Sequence, residues 1–112
     1  MKERRKYVRF PIVTKVKYNL CGKLSTQDSC LSKNFSGHGI NICTKKELPI
    51  GKKINLSFSL PIKSKPIKAE GKVVWIKKEK GKVLTGIKFT KIDKYARDNI
   101  IDYIQRCLTW ED

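Results

Sequence analysis

The 112-residue chain has a single histidine, His38, and four cysteines, Cys21, Cys30, Cys43 and Cys107, no two of which are two or three residues apart. The CxxC pairs of zinc ribbons and redox motifs are therefore missing, and no metal site is expected. Long apolar runs are absent too. The longest is Val73-Val74-Trp75-Ile76, far short of the ~20 residues that a membrane-spanning helix needs. The start is charged from Lys2 onward and lacks the apolar stretch of a secretory signal. A cytoplasmic protein without membrane insertion is expected, its four thiols behaving as small reduced hydrophobes. No Cys–His or paired-carboxylate constellation stands at useful spacing, so neither an enzyme nor a cofactor is expected. Acidic residues are few: 10 against 26 Lys and Arg, for a net charge of +16. That balance favours an anionic partner but does not specify a fold.

What is present is mostly alternation. Apolar residues make up 39% of the chain, enough for the modest core of one domain. Ile12, Thr14, Val16, Tyr18 and Leu20 share one face of an extended stretch, with Lys15, Lys17 and Asn19 on the other. A second stretch is read over 26–35, followed by a turn at Ser36-Gly37-His38-Gly39 and a short strand at Ile40 and Ile42. Ile54, Leu56, Phe58 and Leu60 predict a fourth strand. Ile67, Ala69, Gly71, Val73 and Trp75 predict a fifth, and a Glu79-Lys80-Gly81 turn leads to a sixth with Val83, Thr85, Ile87 and Phe89. The period then changes. Ala96, Ile100, Tyr103, Ile104, Cys107 and Leu108 recur at helical spacing, with Asp93 as N-cap. The expected fold is mainly β: a six-stranded antiparallel β-barrel with one C-terminal α-helix over about 93–108. Residues 1–10 are read as a flexible basic arm and 11–112 as the barrel and helix.

Arginine is the scarce cation. The five are Arg4, Arg5, Arg9, Arg97 and Arg106, against 21 lysines, so three of the five fall in the first nine positions. A guanidinium offers a planar fork that suits phosphate oxygens or the O6/N7 edge of guanine. The other polar cluster is Asn34-Phe35-Ser36-Gly37-His38-Gly39. Its glycines allow close backbone approach by a ligand, and its Asn and Ser suit either ligand contacts or the turn's own hydrogen bonds.

Arg5-x-x-x-Arg9 followed by Asn34-x-Ser36-x-x-Gly39 resembles the signature of the PilZ domain, a bacterial receptor module for cyclic di-GMP. In this composition the two patterns arise by chance ~0.2 and ~0.04 times, so the ordered pair is far more specific than either one. Gly71-Lys72-Val73-Val74-Trp75 and Gly86-Ile87-Lys88-Phe89 are similar to the family's last two strands. The likeness covers nearly the whole chain and implies a stand-alone, non-enzymatic signalling adaptor with a split barrel. It implies that Arg5 and Arg9 grip guanine and phosphate, that Asn34, Ser36 and Gly39 meet the ligand from the barrel surface, and that Trp75 flanks the site. Arg4 is expected to stack on a second ligand, favouring an intercalated cyclic di-GMP dimer. A downstream effector protein completes the expected partners. The alternative is a small basic barrel that binds RNA or single-stranded DNA. Such barrels display aromatics on an exposed strand face, whereas Tyr18, Phe58, Trp75 and Phe89 alternate with apolar residues and read as buried. Nucleic acid is expected to bind only non-specifically, through charge.

Overall fold

A computed structural model of the chain describes residues 10–21, 28–61 and 65–109. Residues 1–9 of the expected arm, with Arg4, Arg5 and Arg9, and positions 26–27 of the second stretch lie outside the described residues, whereas Phe10, also read as arm, belongs to a strand because it pairs with Phe35. The strands are β1 (Phe10–Pro11), β2 (Lys15–Leu20), β3 (Asp28–Phe35), β4 (Gly39–Thr44), β5 (Lys53–Phe58), β6 (Ile67–Glu79) and β7 (Lys82–Ile92). One helix, α1 (Lys94–Thr109), follows.

All pairings are antiparallel, in the order β1-β3-β2-β5-β6-β7-β4, and β4 also pairs with β3. That last pairing closes β2 to β7 into a six-stranded barrel, which removes the open edges that invite aggregation. The short β1 is one strand more than the alternation predicts. It continues the line of β2 along β3, with Phe10 opposite Phe35 and Pro11 opposite Asn34. Between β1 and β2 the ladder is kept by the buried Ser32. Its hydroxyl donates to the Ile12 carbonyl at 2.6 Å and accepts from the Thr14 N–H at 2.9 Å.

The inward positions are those the alternation marks. Val16, Tyr18, Ile54, Leu56, Phe58, Ile67, Val73, Ile87 and Phe89 are all buried. Phe58 stands edge-on to Phe35 at 5.0 Å and stacks with Phe89 at 6.4 Å. These rings form the core and supply no platform for bases. The β6–β7 hairpin closes through Lys80 and Gly81, both at positive φ (46° and 78°), the two-residue turn whose twist matches that of the flanking strands.

Asp93 caps α1 as predicted. Its carboxylate accepts from the Ala96 N–H at 3.4 Å, and its carbonyl accepts from the Arg97 N–H at 2.9 Å. Ala96, Ile100 and Ile104 are buried. Leu108, expected on the same face, is 42% exposed. Among the described residues, no helix is long and apolar enough to cross a membrane. The four cysteines are free and half-buried.

Candidate functional site

The turn after β3 is built around Ser36. Its Oγ accepts the N–H groups of His38 (3.1 Å) and Gly39 (3.2 Å), while its own N–H donates to the Gly39 carbonyl at 3.0 Å. The Phe89 N–H donates to the His38 carbonyl at 2.9 Å, which ties the turn to β7. The acceptor side of the hydroxyl is thus spent on the turn, and its proton is left to donate. Two residues earlier, the Asn34 N–H donates to Oδ1 of Asn41 at 2.7 Å. Asn41 is 7% exposed and lies opposite Asn34, next to the register shift between Ser32 and Asn34. With its oxygen committed, Asn41 keeps an NH2 group that only donates.

The glycines act differently from the sequence expectation. A Cβ on Gly39 would fall 2.2 Å from the Ile87 carbonyl oxygen. Gly39 is therefore required by the close approach of β4 to β7, before any ligand is considered. The glycine that shapes the site is Gly86, which the sequence marked only as part of the last strand and not of the site. A Cβ there would fall 2.1 Å from Cε2 and 2.3 Å from Nε1 of Trp75, so the indole lies across the bare backbone of its cross-strand partner.

Trp75 corrects the expectation that it shares the inward face of Val73. Val73 pairs with Ile87 and Trp75 with Gly86, leaving Val74 as an extra residue. A one-residue bulge flips the faces that follow it. Trp75 is half-buried on the outer surface rather than in the core.

These features meet in one concavity of about 120 Å³, lined by Asn34, Ser36, Gly39, Asn41, Trp75 and Gly86 together with Phe35, Ile40, Val74 and Ile87. Four of the seven expected site residues, Asn34, Ser36, Gly39 and Trp75, are brought together here. The other three are the arginines outside the described residues. Small-molecule sites that enclose a whole ligand run to roughly 300–1,000 Å³, so this hollow has room for only a portion of a ligand of that kind. Larger open hollows lie elsewhere. That of about 590 Å³ is lined by Lys33, Cys43, Glu79, Lys80, Lys82 and Leu84. It lacks the ordered turn and the aromatic wall. Among the described residues, no group of three or more His, Cys, Asp or Glu side chains is placed to hold a metal.

The chain belongs to the PilZ domain family, whose profile matches residues 3–106. Its fold is similar to that of the Bacillus subtilis inhibitor of motility MotI/DgrA, at 22% identity and a TM-score of 0.86 over 98% of this chain. The chain spans 54% of that protein's length. It is also similar to the PilZ domain of YcgR from Escherichia coli, solved with c-di-GMP, at 13% identity and a TM-score of 0.71, covering 93% of each chain. A third likeness is to the PilZ domain of CeSA from a cellulose-synthesizing bacterium, at 11% identity and a TM-score of 0.63, covering 89% of this chain and 97% of that one. No curated protein matches the sequence.

Proposed function

We propose that this chain is a non-enzymatic receptor for cyclic di-GMP. The observation that carries the reading is the convergence of Asn34, Ser36, Gly39 and Trp75 on one hollow, in a PilZ domain whose fold neighbour YcgR was solved with that ligand. The hollow offers what a guanine and its attached phosphate require. Trp75 presents a flat apolar face, Ser36 a hydroxyl proton, Asn41 an amide NH2, and Asn34 both an amide donor and an acceptor.

The hollow takes only part of a dinucleotide, so a second element must hold the rest. Residues 1–10 are that element in this reading, with 11–112 as the barrel and helix. Phe10 is paired with Phe35, which lines the hollow. The Arg9 Cα is about 3.8 Å along the chain from that of Phe10, and the Arg5 Cα is within roughly 18 Å. Chain length alone would therefore allow both guanidinium groups to reach a ligand in the hollow. Arg4 would stack on a second molecule, giving an intercalated pair. The ordered arm and ligand together would form the surface that an effector protein reads in the cytoplasm.

Calorimetry tests this. Wild-type protein should bind cyclic di-GMP at about 150 mM salt and reject equimolar GTP and cyclic di-AMP. Arg5→Ala, Arg9→Ala and Ser36→Ala should each weaken binding by about 10- to 100-fold, as expected for loss of one charge-assisted or buried hydrogen bond. Equal competition by cyclic di-AMP would mean that charge is read rather than guanine. Saturation at one ligand per chain would remove the role given to Arg4.

A further inference from the structure

The outward face of β2, β5, β6 and β7 carries lysines in register. Lys53 is directly opposite Lys72, and Lys72 is directly opposite Lys88. Adjacent partners stand roughly 5 Å apart, so three exposed ammonium stems form one row across three strands. Further along β6, Lys68 faces Ser57, which in turn faces Lys17. Between these rows lies Glu70, half-buried, opposite Lys91 and Asn55. Among the described residues, none of Lys17, Lys53, Lys68, Lys72, Lys88 and Lys91 forms an ion pair. Like charges directly opposite each other weaken a sheet. Among the described residues no carboxylate pairs with these lysines, so a counter-charge from outside would relieve that cost.

We infer that this face docks an acidic protein surface. Charge complementarity requires an anion, and three features select a protein. Among the described residues no arginine lies on the face, so it offers none of the forks that bind phosphate bidentately. Its one aromatic ring, Trp75 at the end beside the candidate site, lies half-buried against Gly86, so successive single-stranded bases have no series of rings to stack on. Glu70 stands among the lysines, and a uniform polyanion, whether nucleic acid or an anionic lipid layer, would oppose it with like charge. A protein surface can set a lysine or a hydrogen-bond donor there. The row ends beside the candidate site, since Lys88 pairs with Gly39, but the inference does not depend on what that site binds.

The test uses the full chain and three labelled probes: an acidic Asp/Glu peptide with one central lysine, an oligo-dT, and phosphatidylserine vesicles. Anisotropy or co-sedimentation is read at about 150 mM salt. The triple variant Lys53→Glu, Lys72→Glu, Lys88→Glu should lose peptide binding by about tenfold or more. The charge-matched triple Lys33→Glu, Lys80→Glu, Lys82→Glu should change it by less than about threefold. Glu70→Lys should loosen the peptide and tighten both oligo-dT and vesicles. Equal loss from both triples would reduce the effect to bulk charge and overturn the inference. Tighter binding of oligo-dT or vesicles than of the peptide, lost with the row, would also overturn it in favour of nucleic acid or lipid. Lys72→Glu alone should raise Tm, because both its cross-strand neighbours are lysines. A lowered Tm would remove the premise.

Discussion

At the scale of single residues, three glycine- and amide-dependent contacts separate folding from binding. Gly39 serves the fold. Its missing Cβ admits the Ile87 carbonyl, which is backbone and cannot step aside. Gly39→Ala should therefore lower stability by about 1–3 kcal/mol, the range for forced overpacking, read from the denaturation midpoint. Gly86 serves the site, since an added Cβ meets the Trp75 ring, a side chain that can swing away. Gly86→Ala should shift indole fluorescence and weaken ligand binding more than it weakens the fold. Asn41 does both, and conservative replacement splits the roles. Asn41→Asp keeps an oxygen for the Asn34 N–H but loses the NH2 donor. It should preserve Tm near neutral pH while weakening cyclic di-GMP binding by about tenfold or more, whereas Asn41→Ala should lower both. Cys30 sets an alkaline limit. Burial first, then Cys43 and Asp28, pushes its thiol from the ordinary 9.0 to about 12. The unfolded chain releases that proton near 9 while the folded chain keeps it, so stability falls as pH rises from about 9 toward 12. Burial moves Tyr18 upward as well, in the same sense. Cys30→Ala should flatten the fall in denaturation midpoint, and an unchanged slope would contradict the assignment.

At the scale of elements, period-two alternation located the six barrel strands because each buries one face and wets the other. The helix was legible for the same reason at its own period, and its start was legible from Asp93. Asp93→Ala should cost about 1 kcal/mol, the usual value of an N-cap, read as a lower Tm. What alternation could not show were the places where it breaks. The bulge at Val74 inserts one residue and turns Trp75 outward. No residue type announces it, because Val-Val-Trp-Ile reads equally well as an unbroken buried run. The pairing of Phe10 and Pro11 with β3 is likewise a tertiary event, made by chain segments more than 20 residues apart. Lysine spacing along each strand was plain in the sequence, but the row across strands exists only once register aligns Lys53, Lys72 and Lys88.

At the scale of the whole molecule, closure of the barrel through β3 and β4 places the Ser36 turn beside β6 and β7. Residues from 34 to 87 thereby share one hollow, although the sequence motif names only its first few members. Asn34, Ser36 and Gly39 were legible as a pattern. Asn41 and Gly86 were not, since an isolated Asn or Gly in a strand carries no signature until its cross-strand partner is known. The most direct measurement is an amide NMR titration of the full chain with cyclic di-GMP. The predicted result is a set of saturable shifts at Asn34, Ser36, Gly39, Asn41, Gly86 and the Trp75 indole N–H, with the lysine face of β5 and β6 unmoved. Shifts confined to that lysine face, or none at all at the hollow, would contradict the receptor assignment.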